Sequence, residues 1–496
     1  MTSAMIWILV AVVVYLLGML AIGFKYANNS TSEDFYLGGR KLGPIVTAMS
    51  TEASDMSAYL LMGVPGLAFF CGVAEAGWTA IGLALGTYLN WLIVAKRLRR
   101  YSAGINAITV PDFLARRFRD NTKLIETLGA LTVIIFFVPY TASGFAACGK
   151  LFNSLFGFDY MTAMIISAAV IVIYCATGGF MAASVTSLIQ GIVMTIALVI
   201  VLIFGINTAG GWDAVIANAK EIPGYLDFSA STSILTGTPS SYSPLMIAST
   251  LAWGLGYFGM PHILVRYLSI KSEHEMRKSQ IIGCSWILVI LAMSAVVGLI
   301  GRQFLGEIDN ENLVFVHMVR RLFPAFISGV LLSAILAAAM STADSQLLAS
   351  SSAFASDIYK PVIRKDATDH EMQWAGRIIV ILISVVAYFI AADPNCGGIM
   401  ALVECAWAGF GSAFGPVILL SLYWRRLTYS GAVAGVCVGF AVDAVWYAFL
   451  SSSTGLYEII PGFLCGLIAA VVVSLCSKAP SKEVTDLFDR AFEPTD

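Results

Sequence analysis

The sequence predicts an all-α membrane protein, a bundle of about thirteen transmembrane helices. Three observations predict it. Only 12% of the 496 residues are charged and 58% are hydrophobic, whereas a soluble globular chain carries about 25% charged residues. Apolar runs long enough to cross a bilayer recur along the whole chain. Lysine and arginine concentrate in alternate loops between those runs.

The first run, 4–24, ends at Lys25 and lacks the basic leader and small-residue cleavage site of a signal peptide, so it reads as a span. Further runs lie at 42–66, 73–95, 125–149, 160–179, 187–208, 244–268, 281–301, 326–352, 376–391, 399–424, 430–450 and 458–476. The run 376–391 is short for a bilayer and is expected to extend. Across thirteen spans, the loops on one side carry 24 of the 29 lysines and arginines, Arg266 among them, and the other side carries 5. The rich side belongs in the cytoplasm, which puts the N-terminus outside and the C-terminus inside. The tail from Lys478 is polar and is expected to be solvated, with no active-site signal.

A net charge of −2 argues against a nucleic-acid partner. Nine scattered cysteines without a CxxC pair read as small core residues. Four dispersed histidines form no metal cluster, and nothing points to an enzyme.

Backbone groups in a bilayer must be satisfied within the chain, and two segments conflict with that. Ser50-Thr51-Glu52-Ala53-Ser54-Asp55-Met56-Ser57 sets two carboxylates and four hydroxyls inside an apolar run. Ser, Thr and Asp compete with the helical backbone for its own hydrogen bonds. Trp253–Pro261 holds three glycines and a proline in nine residues. Each lies in the first helix of a five-span set, 42–208 and then 244–424. Paired interruptions in two halves point to an inverted-repeat transporter with a site at mid-membrane. A glycine-rich packing surface is the plainer reading of the second segment.

A break at Ala53–Ser57 frees the carbonyls of Ala53 and Met56, and a dehydrated cation needs such oxygens. A partner helix with hydroxyls on one face is required. Ala338, Ser341 and Thr342 share a face by their spacing, and the neighbouring alanines allow close approach. Intramembrane carboxylates cost about 2.5–3.5 kcal/mol each on insertion scales and are site candidates by default. Asp55 lies in the break, and Asp344 lies one turn beyond Ser341. Glu404 and Asp443 are weaker candidates. A small solute with an anionic group suits the helix N-termini that a break exposes. Trp253, Tyr257 and Tyr140 offer an aromatic wall.

At these residues the chain resembles the solute:sodium symporter family, in its bacterial proline-carrying branch, over about residues 5–480. The resemblance is carried by Tyr36-Leu37-Gly38-Gly39-Arg40, Ala53-Ser54-Asp55-Met56-Ser57 with Leu60-Leu61-Met62-Gly63, and Gly254–Gly259 leading to Pro261-His262. Ser341-Thr342, Ala406–Gly411 and Leu456–Phe463 extend it. It implies the LeuT-type fold of two inverted five-helix repeats. The expected division is 1–41 (an extra helix and loop), 42–208 (first repeat), 209–243 (extracellular loop), 244–426 (second repeat), 427–477 (two further helices) and 478–496 (cytoplasmic tail).

The resemblance also implies Na⁺ at Ala53, Met56, Ala338, Ser341 and Thr342. It implies functional roles for Asp55, Ser57 and, in gating, Arg40. L-proline would lie near Ser57, Ala58, Tyr59, Tyr140, Trp253, Tyr257 and Pro261. The chain departs from the family at Ala58-Tyr59, at Met260 and at Ser187, where relatives often carry Asp. A carboxylate moved from the Ser187 helix to Asp344, with Ser345 beside it, would keep charge near a second cation site or path. The expected activity is Na⁺-coupled symport of L-proline through a bacterial cytoplasmic membrane. A symporter for another small amino acid or carboxylate is the alternative, and a membrane solute sensor is the alternative of another class. A sensor would carry a fused signalling domain, and fewer than twenty residues follow Lys478.

Overall fold

The computed structural model describes residues 2–26, 31–232, 238–306, 308–393 and 398–492, and of 174–177 only the backbone. Among them, ten helices are long and apolar enough to cross a membrane, and the bent pair Pro44–Asp55 and Ala58–Cys71 makes eleven. Two shorter apolar helices, Tyr160–Ile173 and Pro244–Phe258, occupy two more of the apolar runs. The short run 376–391 lies within a helix that begins earlier, at Asp369. There the Thr368 side chain accepts from the Glu371 amide and Glu371 returns a bond to the Thr368 amide, a capping box that satisfies otherwise orphaned donors.

Leu17, Ile281, Phe389 and Leu475 are 59–67% exposed, on helices whose apolar surface makes sense only against lipid. The interior is close-packed around the Ala325–Phe354 helix, which touches Ser3–Lys25, Leu124–Phe156 and Tyr160–Thr208. Glycine sets some of these approaches. A methyl at Gly329 would meet the Ile8 backbone, and one at Gly254 would meet the Gly82 carbonyl.

Three regions differ from expectation. The apolar runs 160–179 and 187–208 form one helical path, kinked where Gly179 adopts φ 64°, a value open to glycine at little cost. The 209–243 segment holds a helix, Trp212–Glu221, and a two-stranded antiparallel ribbon pairing Ala230 with Ser241. The tail is not merely solvated. Lys482–Phe492 is a helix with Val484 and Ala491 buried. Its Phe488 and Phe492 pack edge-on with Tyr101, Arg117 lies over Phe488, and ion pairs run from Glu483 to Arg119 and from Asp489 to Arg425.

Candidate functional site

The first broken helix ends at Asp55, and the chain turns through 75° before continuing. The turn follows from where the amides go. In an α-helix Ser57 N–H would donate to Ala53 and Leu60 N–H to Met56. Instead Ser57 N–H donates to Asp55 O at 2.8 Å and Leu60 N–H to Ser57 O at 3.0 Å. Ala53 O and Met56 O are thereby released from the ladder. Three of the four hydroxyls in the segment bond back to their own helix: Ser50 and Thr51 to Thr47 O, and Ser54 to Thr51 O. Ser57 caps the next turn by accepting from the Tyr59 amide.

The Ala325–Phe354 helix faces this break. Ser341 Oγ lies 2.7 Å from Ala53 O and 3.0 Å from Ala338 O. Thr342 Oγ1, one residue on, is buried without a hydrogen-bond partner. The freed Ala53 carbonyl, the Ser341 hydroxyl between it and Ala338 O, and the unpartnered Thr342 hydroxyl are oxygens that suit a monovalent cation.

Asp55 is fully buried. Its Oδ2 accepts from the Tyr257 hydroxyl, and its Oδ1 has no partner. Tyr140 donates to the Asp55 carbonyl at 3.3 Å, and the Tyr59 hydroxyl reaches Met56 Sδ. Trp253 meets Tyr59, Trp407 and Tyr457 at tilted angles, and Tyr257 meets Trp407 edge-on. Ala58 is buried in the 3₁₀ turn that follows the break.

The second interruption has a form of its own. Ala252–Phe258 is 3₁₀-helical and helix resumes at Pro261. Its glycines are also a packing surface, since a methyl at Gly256 would overlap the Trp407 indole and one at Gly259 the Phe410 carbonyl. Both readings of the sequence describe the same nine residues.

Pro261 lines a cavity with Tyr36, Thr109, Arg266, Ser345 and Ser352. Arg266, counted above among loop charges, lies in the Pro261–Ser269 helix and is 1% exposed. It donates to Ser50 Oγ (3.2 Å), His262 O (2.6 Å) and Ser345 Oγ (2.7 Å), and Asp344 lies within its electrostatic reach. Sequence reasoning passed over Arg266; the signal was a lone cation at the end of an apolar run. Ser187 Oγ is buried and has no hydrogen-bond partner, Asp344 included. Glu52, the other carboxylate of the first interruption, is fully buried and accepts from Trp91 Nε1 at 2.7 Å. Asp443 accepts from Ser412, and the Glu404 backbone carbonyl accepts from Tyr457.

Arg40 follows two glycines, and all three adopt left-handed φ of 54–63°. That is strained for arginine, and it aims the guanidinium at Leu268 O (2.8 Å) and Ala107 O (2.6 Å). Burial pushes its pKa down to about 10, so it keeps its charge at neutral pH.

The model of the "Sodium:solute symporter family" matches residues 35–439. The osmoregulated proline transporter OpuE of Bacillus subtilis is 42% identical over 489 residues, 97% of each chain. The sodium/proline symporter of Escherichia coli is 41% identical over 493 residues, 97% of this chain and 96% of that one. Among solved structures, a Na⁺-coupled sialic acid symporter in a substrate-bound outward-open state superposes with a TM-score of 0.78 at 18% identity, covering 96% of this chain and 99% of that one. With a broken first helix facing a hydroxyl-bearing partner, and with relatives of this similarity along nearly its full length, the chain belongs to the sodium:solute symporter family.

Proposed function

We propose that the chain is a symporter that carries L-proline inward with Na⁺ through a bacterial cytoplasmic membrane. The observation that carries this reading is the Ala53 carbonyl, released by the break and met by Ser341. Na⁺ is a co-transported substrate, held by the carbonyls of Ala53, Met56 and Ala338 and by the hydroxyls of Ser341 and Thr342. When Na⁺ enters, the Ser341 proton stays with Ala338 O or another acceptor, and its lone pair and Ala53 O turn to the ion. The ion then adds to the Ser341–Ala53 contact in joining the two helices.

Proline lies between the break and the aromatic residues, near Ser57, Ala58, Tyr59, Tyr140, Trp253, Tyr257 and Pro261. Its carboxylate takes the helix N-terminus that opens after Ser57. Asp55 supplies charge beside the ion. Asp344 and Ser345 stand in for the carboxylate absent at Ser187, with Arg266 as their cationic neighbour. Arg40 closes the cytoplasmic side by holding the Leu268 and Ala107 carbonyls together.

The proposed topology is thirteen spans with the N-terminus outside and the C-terminus inside. Residues 42–208 and 244–426 form two inverted repeats, with 1–41, 209–243, 427–477 and 478–496 as the extra helix, loop, helices and tail. An inward Na⁺ gradient drives uptake, and each charge moved through 100 mV adds about 2.3 kcal/mol. Coupling requires that both ligands favour the same state, and it is reciprocal.

The test is purified protein in liposomes, with proline uptake measured under imposed Na⁺, Li⁺ and H⁺ gradients and with competing solutes. Uptake driven by Na⁺ and blocked by excess unlabelled proline supports the reading. Uptake indifferent to Na⁺, or better competed by another carboxylate, overturns it.

A further inference from the structure

The Ala325–Phe354 helix continues past the proposed Na⁺ site as a π-helical segment, Ala355–Ile363. Such wide turns are frequent at functional positions. The segment carries Asp357, a carboxylate with no exposed surface. Its Oδ2 accepts from Thr109 Oγ1 at 2.7 Å, and its Oδ1 is buried without a hydrogen-bond partner. Nearby carboxylates have their own cations: Asp112 bonds Arg116 and Glu126 bonds Lys123. Among the described residues, no Lys or Arg forms an ion pair with Asp357. Burying a carboxylate this way is costly unless something pairs with it.

Its place in the fold suggests what that partner is. Thr109 lines the cavity that begins at Pro261 and Ser345, while Asp112, Arg116 and Glu126 line a separate cleft at the surface. The Thr109–Asp357 bond therefore lies at the wall of the cavity, and Asp112, three residues after Thr109, lines the surface cleft. The helix between Thr342 and Asp357 carries Ser345, Ser352 and Ser356, which share a face by three- and four-residue steps with Ala349. Ser352 lines the cavity and is 5% exposed. The hydroxyls of Ser352 and Ser356 are both buried and unpartnered. The Ser352 and Ser356 hydroxyls and the Asp357 Oδ1, all buried without a partner on one stretch of helix, form a set of stations for a cation.

We propose that Asp357 is a cation-receiving carboxylate on the exit path: as the Thr109 hydroxyl moves off, the departing Na⁺ takes its place. This rests on the Na⁺ symport reading above and on its cytoplasmic placement of this end of the helix. Asp357 belongs to release, so it acts on internal Na⁺ and leaves the affinity for external Na⁺ alone.

The experiment uses the full-length protein in membrane vesicles of defined sidedness. Initial proline uptake is measured against external Na⁺ and, separately, against Na⁺ loaded inside. Asp357→Asn is expected to raise the internal Na⁺ needed for half-inhibition about tenfold, the loss of one ion contact, with external half-saturation unchanged. Thr109→Val removes the competing hydroxyl and keeps the carboxylate, so it should lower the internal half-inhibition. If both variants shift internal and external constants together, or if Thr109→Val leaves internal inhibition where it was, the proposal is wrong. Absence of Na⁺-driven proline uptake in the unaltered protein would instead remove the symport reading beneath it.

Discussion

The hydroxyl of Ser341 sits 2.7 Å from the carbonyl oxygen of Ala53, 288 residues away in sequence. This contact joins the Ala325–Phe354 helix to the first broken helix where the latter has lost its own hydrogen bonding. Ala53 O lost its helical donor because the Ser57 amide turned to Asp55. In the proposed Na⁺ site it is also the contact that the ion would rearrange on binding.

Ser341→Ala and Thr342→Ala should each raise the Na⁺ concentration for half-maximal uptake by about tenfold or more, since a hydrogen bond or ligand to a charged group is worth about 1.5–3 kcal/mol. Proline uptake titrated with external Na⁺ measures this. Arg490→Ala, at an exposed position of the tail helix, should leave that titration where it was. Equal effects from all three would count against the site.

Asp344→Asn tests whether this carboxylate stands in for the one absent at Ser187. Arg266 is buried and Asp344 acts on it electrostatically, so neutralising Asp344 removes a carboxylate charge beside a buried guanidinium. A several-fold rise in half-saturating Na⁺ is expected. An unchanged Na⁺ titration would assign Asp344 to local pairing with no part in cation binding.

Arg40→Lys keeps the charge and loses the fork. The guanidinium reaches Leu268 O and Ala107 O from two different nitrogens, and a lysine ammonium cannot reproduce that planar geometry. Uptake should fall about tenfold or more while the protein still reaches the membrane, as judged by immunoblot of membrane fractions. Near-normal transport by the lysine variant would show that charge alone suffices.

The tail helix offers a contrast in magnitudes. Its Arg425–Asp489 pair is exposed on both sides, and such pairs contribute little. Phe488 is half-buried between Tyr101, Phe492 and Arg117, and truncating it should cost about 1–2 kcal/mol of docking. Limited proteolysis should therefore clip the tail much faster in Phe488→Ala than in Asp489→Asn. Similar rates would mean that the ion pairs hold the helix.

The sequence by itself determined the membrane class, the positions of the apolar runs and the break at Ala53–Ser57. These depend on local properties: hydropathy, and residues that compete with the helical backbone within a few positions. The same local logic marked Trp253–Pro261 as irregular, but it could not separate unwinding from close packing, because Trp407 and Phe410 lie about 150 residues further on. Only the tertiary structure decided which groups meet. It set Tyr257 on Asp55, Ser341 on Ala53 and Arg266 against Ser50 and Ser345. It also folded the tail onto Tyr101 and Arg117. The physical reason is distance along the chain: a buried charge or a freed carbonyl announces in sequence that it needs a partner, and the packing of remote helices chooses which one.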